Sequence, residues 1–98
     1  MFVNVIKSYR DVVAVCDSEL LGKRFEEGKF QLDIKENFFR GKESPKEEVS
    51  EIMKNMKLED STFNIVGEES IKTALEAGII TKKSIGKIDN IPFALVLI

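Results

Sequence analysis

Val49, Ile52, Met53 and Met56 fall at i, i+3, i+4 and i+7, one apolar stripe in a stretch whose other positions are mostly polar. That spacing gives a helix with a single face to bury. The other apolar runs are short. Residues 2–7 and 12–16 are apolar and β-branched, and Phe30, Leu32 and Ile34 alternate with Gln31, Asp33 and Lys35. A one-sided helix and one-sided strands are stable only when they cover each other. The sequence therefore predicts an α+β fold, a two-layer sandwich with a mixed or antiparallel sheet and helices on one face.

The punctuation places the elements. Ser44-Pro45-Lys46-Glu47 predicts the start of the striped helix, with Ser44 as N-cap, Pro45 at its first position and Glu47 completing a capping box. A second helix is predicted over 68–77, with Ile71, Ala74 and Leu75 inward and Gly78 as a left-handed stop. Ser8-Tyr9-Arg10-Asp11 predicts a hairpin connection between the first two strands. Asp17-Ser18-Glu19-Leu20-Leu21 predicts one or two helical turns. Asp17 is their N-cap, Leu21 and Phe25 share a buried face, and Gly28 closes them. Residues 37–43 read as a loop and 62–66 as a short strand. Residues 84–89 and 92–98 read as a closing hairpin around Asp89-Asn90-Ile91. The run Ala94-Leu95-Val96-Leu97-Ile98 is apolar at both parities. It predicts a central strand covered on both sides, or one with helices on one face and a partner on the other. A homodimer is one such partner.

Length sets the scale of the fold. A chain of 98 residues corresponds to one domain, here 1–98. Its hydrophobic fraction of 43% and charged fraction of 33% describe a globular chain. Cys16 is the one cysteine, so nothing calls for an oxidising compartment. The opening Met1-Phe2-Val3-Asn4-Val5-Ile6 is too short and interrupted for a signal peptide. The final apolar run falls well below the roughly 20 residues of a membrane helix. A cytoplasmic protein with no membrane contact is expected. Lys and Glu dominate the charges, and Gln31 is the lone glutamine, a balance that resembles thermophile proteins.

Several chemistries are excluded. With no histidine there is no Ser-His-Asp or Cys-His catalysis and no histidine metal site. No cysteine pair, phosphate-binding loop or dinucleotide fingerprint occurs. No catalytic residue, metal or cofactor is therefore assigned. Cys16 is a candidate nucleophile at a helix start. Its ordinary role is a small buried hydrophobe, and Asp17 beside it opposes a thiolate. In Asn64-Ile65-Val66-Gly67-Glu68 the glycine would let an anion approach a helix start. Glu68 and Glu69 oppose that. Lys23-Arg24 and Lys82-Lys83, with Lys87, are the basic clusters, suited to RNA phosphates or to plain solvation. The net charge of −2 argues against a general nucleic-acid binder. The leading expectation is a non-enzymatic binding module whose partner is RNA, the ribosome or another protein. The alternative is a small enzyme or redox-active protein centred on Cys16, and exposure of that thiol separates the two.

Three segments carry a resemblance. Val13-Ala14-Val15-Cys16-Asp17 with Glu19-Leu20-Leu21-Gly22-Lys23, then Asn64-Ile65-Val66-Gly67-Glu68, then Ile91-Pro92, resemble the small archaeal "domain of unknown function 424" family over essentially the whole chain. The resemblance implies an archaeal cytoplasmic protein with a two-layer α/β fold and implies no activity. Carried over by position, its candidate site residues are Cys16, Asp17, Gly22, Lys23, Asn64, Gly67 and Glu68. Members often carry a histidine after the late proline. Phe93 stands there in this chain, so no histidine-dependent role carries over.

Overall fold

The structure, a computed structural model, describes residues 1–97. In chain order its strands and helices are β1 (Phe2–Ile6), β2 (Val12–Cys16), β3 (Arg24–Glu27), β4 (Phe30–Asp33), α1 (Glu36–Phe39), β5 (Lys42–Glu43), α2 (Lys46–Leu58), β6 (Thr62–Val66), α3 (Glu68–Glu76), β7 (Gly86–Ile88) and β8 (Ile91–Val96). Single 3₁₀ turns at Ser18–Leu20 and Lys82–Ser84 complete it. Among the described residues, no helix is long and apolar enough to cross a membrane.

Six strands form one mixed sheet in the order β5-β1-β2-β6-β8-β7. The β-branched pair β1 and β2 forms the expected antiparallel hairpin, with Val3 opposite Val15 and Val5 opposite Val13. β2 and β6 lie parallel, with Val13 opposite Phe63 and Val15 opposite Ile65. β6 runs antiparallel to β8, and β7 returns along β8. The two-residue turn Asp89-Asn90 has φ of +52° and +64°, the double left-handed conformation of a type I′ hairpin.

Strand alternation splits the core. On one face Val3, Val13, Val15, Phe63, Ile65 and Ala94 pack against Val49 and Met53 of α2 and Ile71 and Ala74 of α3. This is the α+β sandwich that the striped helix predicted. α3 ends as expected. Gly78 has φ of +75°, its N–H donates to the Leu75 carbonyl, and Ile79 N–H donates to the Ala74 carbonyl. On the opposite face Ala14, Cys16 and Val66 are covered by Leu20, Ile34 and Phe39. That cover comes from the 3₁₀ turn, the residue after β4 and α1, with the separate hairpin β3–β4 adding Phe25 and Leu32 at its margin and packing towards β7.

Four local expectations are corrected. Residues 17–28 make one 3₁₀ turn and then a strand, because Gly22 at φ +82° turns the chain out of any helix. Gly28 is the first residue of the two-residue β3–β4 turn, so Leu21 and Phe25 join the smaller cluster without sharing a helix face. Residues 37–43 are not all loop, since they carry most of α1 and all of β5. Ser44 does not cap α2. Val49 N–H bonds to the Pro45 carbonyl, which makes Pro45 the N-cap, and the buried Ser44 hydroxyl reaches only the Lys42 carbonyl at 3.5 Å. Phe30 is the exception in its alternating strand. It pairs with Glu27 next to the turn and is 68% exposed.

Candidate functional site

Asp17 follows the last residue of β2, where its backbone N–H donates to the Val66 carbonyl at 3.1 Å and ties the ends of β2 and β6 together. Its side chain turns away from the adjacent 3₁₀ turn, which it was expected to cap, and reaches the start of α3. There Oδ2 accepts Glu69 N–H at 3.1 Å. Oδ1 accepts Ser70 N–H at 2.8 Å and the Ser70 hydroxyl at 2.7 Å. A helix start leaves backbone donors unsatisfied and carries partial positive charge, so a carboxylate there is favourable. The residue at the N-cap position of α3 is Gly67, which has no side chain to offer.

Gly67 has to be glycine. Its φ is +109°, and an added Cβ would lie 2.3 Å from the Asp17 carboxyl carbon. Its N–H donates to the Pro92 carbonyl at 2.9 Å. The position that an incoming phosphate would occupy is filled by the chain's own carboxylate. Cys16, Asp17, Gly67 and Glu68 are thus brought together as a junction of two strand ends, one helix start and the Ile91-Pro92 segment. Glu68 is exposed and, with Asp17, Glu19, Glu69 and Pro92, lines a cleft of about 330 Å³. Among the described residues, no group of three or more Cys, Asp or Glu is placed to hold a metal ion.

Cys16 is fully buried. Burial, reinforced by the neighbouring Asp17 carboxylate, pushes its thiol up to about 12. A thiol held protonated and out of water is neither a nucleophile nor an accessible redox group.

The remaining candidates lie apart from this junction. Gly22 closes the base of the β3–β4 hairpin, its N–H donating to the Ile34 carbonyl at 2.8 Å. Lys23 is exposed beside it, and Arg24 pairs with Glu26 at 3.0 Å. Lys82 and Lys83 are exposed on the 3₁₀ turn before β7. Asn64 lies on the second sheet face, in the floor of an apolar groove of about 270 Å³. Val66, Phe93 and Leu95 share that floor, and Leu32, Asp33 and Phe38 form the walls. Leu95 is 52% exposed at the groove and Leu97 is 72% exposed just beyond it. The groove residues from β4 and α1 were missed in the sequence. The signal for Leu95 and Leu97 was present, as an apolar run at both parities with only one parity covered by helices.

Among solved structures, the fold is similar to that titled "Crystal structure of an uncharacterized conserved protein from Methanopyrus kandleri". The TM-score is 0.84 at 23% identity, over 97% of this chain and 88% of that one. No curated protein matches the chain. Residues 6–98 match the family described as "Protein of unknown function (DUF424)", and the chain belongs to that family.

Proposed function

We propose that this chain is a non-catalytic binding module that recognises a protein partner through the half-covered face of its sheet. The observation that carries the reading is the groove between β4, α1 and the β6–β8 strands. It is concave and mainly apolar, it holds one uncharged polar side chain, Asn64, on its floor, and it opens beside the exposed Leu95 and Leu97. An apolar concavity with a few placed polar groups is the usual form of a recognition surface. Leucines left in water beside it mark a surface that something covers. The buried thiol of Cys16 weighs against the redox alternative. For RNA, the two basic clusters sit on different elements, and Arg24 is already paired with Glu26.

The test is affinity capture from a lysate of the source organism, comparing the full chain with Leu95→Glu, with and without nuclease. Leu95 is half exposed, so the substitution leaves the fold intact, which circular dichroism checks. Recovery of a protein that survives nuclease and is lost with Leu95→Glu is the expected result. Recovery that nuclease abolishes would replace the protein partner with a nucleic acid. Equal recovery by both chains would remove the groove from the interface.

A further inference from the structure

The register of β8 fixes which of its backbone groups face outward. Gly67 N–H donates to the Pro92 carbonyl. Antiparallel ladders alternate, so Pro92, Ala94 and Val96 direct their backbone groups to β6, while Ile91, Phe93 and Leu95 direct theirs the other way. On that side β7 meets Ile91 through Ile88 and Phe93 through Gly86, and there it ends. The chain before β7 curls into the 3₁₀ turn Lys82–Ser84, which stays beside β8 but turns its backbone inward, Ser84 N–H donating to the Thr81 carbonyl and Ile85 N–H to the Lys82 carbonyl. Among the described residues, the N–H and C=O of Leu95 therefore have no backbone partner on that edge. Proteins usually blunt such an edge with charge, proline or a covering segment. This one carries exposed Leu95 and Leu97.

We propose that the edge of β8 beyond β7 accepts an extended segment of a partner protein as a further strand, aliphatic at alternate positions and acidic at the others. The inference deepens the reading of the groove as a partner surface and rests on it. Unpaired backbone donors and acceptors select an extended chain over a helix, since only a strand can match them. Leu95 and Leu97 share the face that carries the groove, so the added strand's aliphatic side chains would extend that apolar floor. Lys82 and Lys83 stand exposed where the edge begins, with Lys87 on β7. They supply the charge preference. The same lysines disfavour a second copy of this chain, because pairing two such edges would bring two Lys82-Lys83 pairs together.

The experiment uses the full chain and three synthetic peptides. One alternates valine with glutamate, one alternates valine with lysine, and one repeats the first with its edge-facing backbone nitrogens methylated. Binding is followed by NMR, with hydrogen exchange read at the Leu95 amide. The glutamate peptide is expected to bind roughly fivefold more tightly than the lysine peptide, the worth of two exposed ion pairs. It should slow exchange at Leu95, and methylation should abolish both effects. Lys82→Glu with Lys83→Glu should reverse the charge preference. Binding without protection at Leu95, an unchanged affinity on methylation, or no binding by any peptide would overturn strand addition. Protection of Leu95 by raised protein concentration alone would make a second copy the occupant. If strand addition fails while capture still depends on Leu95, the groove reading survives by another geometry. If capture also proves independent of Leu95, both readings fall.

Discussion

Asp17 and Gly67 act as one unit, although they come from segments about fifty residues apart. The glycine is small because the carboxylate fills its side-chain space, and the carboxylate is there because the glycine leaves α3 uncapped. Gly67→Ala is expected to cost at least about 1.5 kcal/mol. A residue with a side chain in this backbone region is strained by roughly 1–3 kcal/mol, and displacing the cap adds about 0.5–2 kcal/mol. Asp17→Ala alone should also destabilise. With both substitutions present, the alanine no longer meets a carboxylate, so the double variant should lose less than the sum of the two. Denaturant midpoints of the four proteins give the coupling, and strict additivity would disprove it.

Cys16 adds a pH dependence with a definite sign. Its thiol rises from about 9.0 to about 12 on folding, so folding favours the protonated form. The resulting stability is fully present below about pH 9 and is lost as pH rises towards 12. In that window the native chain should lose up to about 1.4 kcal/mol per pH unit more than Cys16→Ala. Parallel stability curves above pH 9 would show that the thiol ionises freely in the folded protein. Cys16→Ala will be less stable overall, so the slopes are the quantity to compare.

At the level of elements, two serines make opposite demands on intuition. Ser44 has the sequence context of a capping residue, yet its hydroxyl makes one long contact and Pro45 holds the cap position. Ser44→Ala should shift stability by less than about 0.5 kcal/mol, where a true cap would cost about 1 kcal/mol. Ser61, between α2 and β6, buries a hydroxyl with no partner among the described residues. Its removal restores nothing to an orphan elsewhere, so Ser61→Ala should be neutral or stabilising. Thermal denaturation of both variants checks the pair.

The same elements show what the sequence could and could not reveal. The stripe of α2, the Gly78 stop and the valine-rich strands were legible because each signal is local and periodic. β3 was not, since Arg24–Glu27 offers one apolar residue, Phe25, and no alternation. Its turn was marked only by Gly28 before Lys29. The parallel pairing of β2 with β6 depends on where α2 lies, which no local signal encodes. For the site, Cys16, Asp17, Gly67 and Glu68 were singled out and do converge. The destination of the Asp17 carboxylate is 52 residues away at Glu69, beyond the reach of spacing arguments.

For the whole molecule, the two faces of the sheet are covered very unequally. Helices α2 and α3 seal one face over a large core. The other is closed by a two-stranded hairpin with exposed polar edges and a one-turn helix, over a core about half that size. An isolated hairpin of this kind is marginal in water and holds here through Phe25, Leu32 and Ile34. Local stability follows such differences, so the hairpin should open well before the central sheet unfolds. Cys16 packs with Ile34, which Gly22 and Lys23 tie into the base of the hairpin, and this makes the thiol a reporter of that opening. Labelling of Cys16 by a thiol reagent under native conditions should be slow, and its protection should match that of the amides of β3 and β4. Amides of β2 and β6 should be protected far more strongly, at the level of global unfolding. Phe25→Ala would loosen the hairpin. It should accelerate Cys16 labelling while barely changing exchange in β6 relative to the global stability of the variant. If Cys16 is instead protected as strongly as β6, hairpin and sheet open together, and the second face is as cooperative a part of the fold as the first.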